Sequence, residues 1–149
     1  MRAVIQRVTH ASVSVNGKPV GAIRQGLMVL LGVKAGDTEK DADYLADKIV
    51  KLRIFEDENG KMNRAVRDIG GSILCVSQFT LLGDARGQNR PGFTQAEAPE
   101  RANELYQRVC LRMRGQDVPV ETGVFRADMQ IELCNDGPVT ILLDSEKNF

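Results

Sequence analysis

Ser72-Ile73-Leu74-Cys75-Val76-Ser77-Gln78-Phe79-Thr80-Leu81 opens as an apolar run and closes on hydroxyl and amide side chains. Its apolar part has no polar face to offer to solvent, so Ser72 to Leu81 reads as a strand covered on both sides. Leu27 to Val33 carries the same signature and reads as a second, central strand. Strands of this kind need other layers over them, and two amphipathic segments are available. Asp37 or Thr38 can cap a helix in which Ala42, Leu45, Ala46, Ile49 and Leu52 recur at helical spacing. Pro99 suits the first turn of another, with Ala102, Leu105, Val109 and Met113 on its inward face.

Shorter strands complete the pattern. Arg2 to Val8 and Ser12 to Val15 lead into Asn16-Gly17, a strong two-residue hairpin signal, and then into Lys18 to Ile23. Leu52 to Phe55 and Lys61 to Asn63 flank the turn Asp57-Glu58-Asn59-Gly60. Val118 to Val120, the alternating Met129 to Leu133, and Val139 to Leu143 close the chain, with Asp136-Gly137-Pro138 read as the turn between the last two. Two helices against this larger set of strands give an α/β fold with a mixed sheet. No G-x-G-x-x-G dinucleotide fingerprint is present.

A chain of 149 residues, 42% apolar and 27% charged, fits one ordinary domain spanning 1–149 and can bury a core without staples. No run approaches the roughly 18 to 20 apolar residues that span a bilayer, and the amino terminus lacks a signal-peptide core, so a cytoplasmic protein without membrane association is expected. Cys75, Cys110 and Cys134 lie far apart and only one histidine is present, so neither a disulfide framework nor a metal site is expected, and no cofactor. Lys plus Arg equals Asp plus Glu at 20 each, so a polyanionic partner would have to be met by a local patch or by shape.

The search for side-chain catalysts is thin. His10 would have to serve any Ser-His or Cys-His pair, and beside a turn it reads as a solvated surface residue. Cys75 reads as a small buried hydrophobe. The polar end of the opening strand is the more distinctive feature: Ser77, Gln78 and Thr80, with Phe79 between them, are either a strand edge capped by hydroxyls or one wall of a pocket. Gly137-Pro138 reads first as a plain turn, because an X-Pro bond is cis in only about 5–6% of cases. The stretch from Leu82 to Ala98 has no apolar period but carries Arg86, Asn89 and Arg90, and a segment so long without structure is usually functional.

Taken in order, the segments resemble the D-aminoacyl-tRNA deacylase (DTD) family from end to end. The resemblance rests on Arg2 to Val8, Ala11-Ser12-Val13, Leu30-Leu31-Gly32-Val33, Arg53-Ile54-Phe55 and Gly60-Lys61-Met62-Asn63. It continues through Ser77 to Leu81, Arg90-Pro91 with Phe93, Ala127-Asp128-Met129, and Asn135-Asp136-Gly137-Pro138-Val139-Thr140. It implies a homodimeric three-layer α/β/β fold that cleaves the ester joining a D-amino acid, or glycine, to the terminal adenosine of tRNA, and spares the L form. By the same resemblance Ser77, Gln78, Phe79 and Thr80 line the catalytic pocket, Gly137 and Pro138 form a cis pair entering the pocket of the other subunit, Met129 lines that pocket and Arg7 braces the Gly-Pro segment. The chain departs from the family pattern at Leu82, Gly83, Gly87 and Gly92, and at Arg126, a position that is usually small. Two rival readings are a non-catalytic RNA-binding dimer and a thiol hydrolase using Cys75.

Overall fold

In the computed structural model, which describes residues 1–149, the sheet is organised by one long strand, β1 (Arg2–Val15), with partners along both edges. Its second half turns at Asn16 and Gly17, whose φ values of 51° and 78° are those a tight two-residue hairpin requires, and pairs antiparallel with β2 (Lys18–Ile23). Its first half pairs antiparallel with β3 (Gly26–Gly32), Ala3 opposite Leu31 and Ile5 opposite Val29. β3 pairs parallel with β6 (Ser72–Ser77), and β6 parallel with β7 (Val120–Thr122), so the sheet is mixed, in the order β2-β1-β3-β6-β7.

Parallel neighbours require crossovers, and these carry the helices. Between β3 and β6 run α1 (Glu39–Lys51) and a small ladder of β4 (Phe55–Glu56) with β5 (Met62–Arg64); between β6 and β7 runs α2 (Pro99–Arg114). Thr38 rather than Asp37 is the cap of α1: its N–H donates to Asp41 Oδ2 at 2.9 Å, whereas the buried Asp37 carboxylate accepts from the Lys34 N–H at 2.7 Å. The helices lie together, and Arg101, Arg108 and Arg112 of α2 pair with Glu39, Asp43 and Asp47 of α1 at 2.8–2.9 Å.

Alternation decides which side chain faces which layer. Leu27, Val29 and Leu31 of β3 and Ile73 and Cys75 of β6 pack with Leu45, Ile49, Leu105 and Val109 of the helices. Met28, Leu74 and Val76 point the other way, into a second apolar cluster with Val8, Ala11, Val13 and Ile23. The two apolar runs are thus covered on both faces, as their composition requires.

Several boundaries differ from the sequence reading. The strand expected to reach Leu81 stops at Ser77. Gln78 N–H still donates to Leu31 O at 2.8 Å, but Phe79–Leu82 then winds into a 3-10 turn whose buried Leu82 lies over Gly32. A Cβ at Gly32 would sit 2.7 Å from Leu82 Cδ2 and 3.0 Å from Gln78 O, so the close approach depends on that glycine. Apolar composition does not distinguish a strand that continues from a turn that buries the same leucines.

The two closing strands expected around Asp136-Gly137-Pro138 are one strand, β8 (Gln130–Asp144), antiparallel along nearly the whole of β1 from Ser14–Gln130 to Arg2–Asp144. The segment does not reverse the chain. The register steps from Val8–Asn135 to Gln6–Thr140, so Asp136 to Val139 bulge out opposite Arg7. A polar Asp-Gly-Pro break between two alternating runs is the same pattern for a hairpin turn and for a bulge; only the shared partner β1 separates them. β1 is likewise continuous where two pieces were expected, and β7 lies two residues later, at Val120–Thr122 instead of Val118 to Val120. No helix is long and apolar enough to cross a membrane.

Candidate active site

The carboxyl ends of parallel strands are where open α/β sheets form ligand crevices. Here β3, β6 and β7 all point one way, and residues at or just past their ends, Val33, Ser77 to Thr80, and Phe125, line one cleft of about 680 Å³. Met129 and Ile131, entering β8, supply another wall, and Ala96, Pro99 and Ala102 at the start of α2 a third. Ser77, Gln78, Phe79, Thr80 and Met129 are therefore brought together. The sequence offers no signal that Glu97 and Phe125 belong to a site, and Pro99 reads there only as the first turn of a helix.

The 3-10 turn sets the chemistry of this cleft. Its winding takes the Phe79 and Thr80 N–H groups off the β3 ladder, and neither donates to an acceptor in the chain. Two adjacent main-chain donors at a cleft wall suit a negatively charged oxygen. The Thr80 hydroxyl accepts from Gln78 Nε2 at 2.8 Å and has no imidazole or carboxylate beside it. The Glu97 carboxylate is occupied, accepting from Ala98 N at 2.8 Å and Gly36 N at 3.1 Å, and these hydrogen bonds hold its pKa below the usual carboxylate range. It is an anion engaged by backbone and poorly suited to act as a proton donor. The exposed Phe79 ring meets Phe93 edge-on, centroids 5.2 Å apart, and joins the turn to the Asp84–Gly92 loop, which is closed by paired main-chain hydrogen bonds of 2.9 Å.

Gly137 and Pro138 lie elsewhere. Their peptide bond is cis, both residues are exposed, and neither lines the cleft of their own chain. The bulge is nonetheless tightly held. Asn135 Oδ1 accepts from Val139 N at 3.0 Å while its Nδ2 donates to Thr140 Oγ1 at 3.1 Å, closing the loop from inside. Arg7 fills the gap left opposite: buried at 7% exposure, it donates from Nε to Asp136 O at 3.0 Å and from Nη1 to Ile54 O at 2.8 Å. Gly137 has φ of 134°, and a Cβ there would come within 2.7 Å of Val139 Cγ2 and 3.1 Å of Arg7 Nη2, so no other residue fits unchanged.

The remaining sequence candidates fall outside the cleft. His10 is exposed and approaches only the Thr9 hydroxyl, at 3.2 Å. Cys75 is fully buried in the core, and its thiol is pushed well above the ordinary value, first by its hydrogen bond with Cys110 and then by burial. A thiolate nucleophile at that position is inconsistent with both facts.

A family described as D-Tyr-tRNA(Tyr) deacylase matches residues 4–144. A protein of Anaeromyxobacter dehalogenans (strain 2CP-C), named D-aminoacyl-tRNA deacylase, is 62% identical over 149 residues, and one of the same name from Desulfitobacterium hafniense (strain DSM 10664 / DCB-2) is 60% identical; both alignments span 100% of each chain. Among solved structures, the c-Myc DNA Unwinding Element Binding Protein superposes with a TM-score of 0.90 at 43% identity, covering 97% of this chain and 98% of that one. A probable eukaryotic D-amino acid tRNA deacylase superposes at 0.80 with 20% identity over 95% and 97%, a likeness of fold. The class that the family match and these relatives define is a hydrolase acting on an ester bond. Within that class, the chain belongs to the D-aminoacyl-tRNA deacylase family.

Proposed function

We propose that this protein hydrolyses the ester of D-aminoacyl-tRNA, and of glycyl-tRNA mischarged on tRNA-Ala, releasing the amino acid and intact tRNA while rejecting L-aminoacyl-tRNA. The observation that carries the reading is the pair of acceptorless amides at Phe79 and Thr80 in a cleft at the ends of the parallel strands. With the ester carbonyl oxygen against these donors, water adds to the carbonyl carbon, the oxyanion is held by the two N–H groups, and the C–O bond breaks to return a hydroxyl to the terminal ribose. Thr80 is not the nucleophile on this account, since no base is present to take its proton. The terminal adenosine's own 2′-hydroxyl, next to the ester, orients the attacking water.

Chirality is assigned to the other segment. We place the protein in a homodimer in which Gly137-Pro138 of one subunit enters the cleft of its partner, with the sheets of an α/β/β architecture facing each other. Three features support this: the pair is exposed, absent from its own cleft, and held rigid by Arg7 and Asn135. β8 also leaves one edge unpaired and carries Leu142 at 52% exposure. A carbonyl of that segment near the substrate α-carbon accepts from the ammonium and collides with an L side chain, so selection works by exclusion. Glycine has no side chain to exclude.

The test is turnover, in the presence of a chelator, of D-aminoacyl-tRNA whose terminal ribose has or lacks its 2′-hydroxyl. Cleavage of the first, and a loss of about a hundredfold or more for the second, is expected on the scale of acid–base assistance. Equal rates for the two would overturn the water-positioning role, and absence of cleavage with both would overturn the activity.

A further inference from the structure

We propose that Arg126 is a substrate-binding residue that grips a backbone phosphate of the tRNA acceptor end as it leaves the cleft; the proposal rests on the tRNA substrate assigned above. Arg126 is the cleft's only basic side chain. Most other arginines near structured elements are committed to protein groups: Arg101, Arg108 and Arg112 to carboxylates of α1, Arg86 to Asp84, and Arg2, Arg7 and Arg114 to carbonyls. Arg126 is exposed, and its guanidinium is engaged by none of the chain's ion pairs or hydrogen bonds.

The backbone at Arg126 sharpens the point. Ala127 N–H donates to Val124 O at 3.1 Å, making Val124 to Ala127 a tight turn, and Arg126 occupies its third position with φ of 68°. That position favours glycine, and a long β-methylene side chain there is strained. Phe125, one residue earlier, anchors the turn inward against Tyr106, ring centroids 6.2 Å apart. The turn is thus fixed to the core on one side and holds an unpaired guanidinium at the mouth of the cleft on the other. A strained residue whose guanidinium has no hydrogen-bond or ion-pair partner within the protein points to a partner outside it.

The geometry also selects the anion. The ester must reach the amides of Phe79 and Thr80 on the cleft wall, so the aminoacyl end lies inside and the phosphodiester chain passes outward over the rim. A planar guanidinium is the side chain best matched to a phosphate there.

The test compares wild type with Arg126→Gly and Arg126→Lys in steady-state cleavage of D-Tyr-tRNA and D-Asp-tRNA, and in binding of an uncharged acceptor-stem RNA across a salt series. For Arg126→Gly the expected results are a KM about tenfold higher for both substrates with kcat little changed, and acceptor-stem binding whose salt slope falls by about one. Its Tm should be equal to or above wild type, because glycine relieves the turn; Arg126→Lys recovers part of the KM and the salt slope. Unchanged KM and salt slope in a folded Arg126→Gly protein overturns the proposal, as does a loss confined to D-Asp-tRNA, which would place the guanidinium on a substrate carboxylate. Should wild type cleave neither substrate, the functional reading fails while the binding arm still decides the role of Arg126.

Discussion

Ser77 to Leu82 and Asn135 to Thr140 are both places where a strand stops being regular, and they do so in opposite ways. The first leaves the ladder at its end, turns into a cleft and frees two donors. The second leaves the ladder in mid-strand, bulges to the outside and is tied down at its flanks: Asn135 serves Val139 and Thr140, and Arg7 serves the Asp136 carbonyl. An interruption with open donors has room for a ligand's oxygen. One that is braced at its flanks and exposed at its tip is shaped to be inserted into something else. The division of labour proposed above, hydrolysis by the first segment and choice of enantiomer by the second, follows from that contrast.

The largest effect should come from removing the brace. Arg7→Ala leaves the Asp136 and Ile54 carbonyls without their donor in a buried site, and roughly 2–4 kcal/mol of stability should be lost, read from urea unfolding. Arg7→Lys should recover only part, since one ammonium does not reproduce a guanidinium donating from two nitrogens to two carbonyls. Next in size is Gly137→Ala. The left-handed φ and the 2.7 Å approach to Val139 should cost about 2 kcal/mol and displace the bulge, with the chain's own cleft, which neither Gly137 nor Pro138 lines, intact. A smaller effect is expected at Thr80→Ala, because the proposed mechanism uses the amide and not the hydroxyl. kcat/KM should fall by less than about tenfold, the loss of one orienting hydrogen bond to Gln78. A total loss in a folded protein would return the chemistry to the side chain.

The smallest effect concerns neither segment and serves as a control on the scaffold. Arg108 and Arg112 hydrogen-bond Asp43 and Asp47 and hold both carboxyls below the usual range. Depressed folded-state pKa values mean that this contribution is present above the ordinary aspartate range, near pH 4, and is lost as pH falls through the lower folded values. Arg108→Gln with Arg112→Gln should therefore lower Tm slightly at pH 7 and make no difference at low pH, while D-aminoacyl-tRNA turnover stays as in wild type.

What the sequence makes legible tracks the physics of each signal. β3 and β6 are visible because strands covered on both faces must be apolar throughout, and α1 and α2 because their core contacts recur at helical spacing with Thr38 and Pro99 marking the starts. The 3-10 turn at Phe79 is hidden, since Leu81 and Leu82 extend the apolar run whichever way the chain goes. The bulge at Gly137 is hidden for a related reason: local composition records that pairing is interrupted and says nothing of whether the same partner resumes. The pocket residues Ser77 to Thr80 and Met129 are distinguished from an ordinary strand end only by their company, and Glu97 and Phe125 join them through the fold alone.

Whether the bulge sets enantiomer choice without performing the chemistry is read most directly from the ratio of D- to L-aminoacyl-tRNA turnover in Gly137→Ala, set against wild type. Wild type should clear the D ester and spare the L. In the variant that ratio should narrow chiefly because cleavage of the L ester rises. An unchanged ratio in the folded variant, or equal loss of both activities, would contradict the assignment.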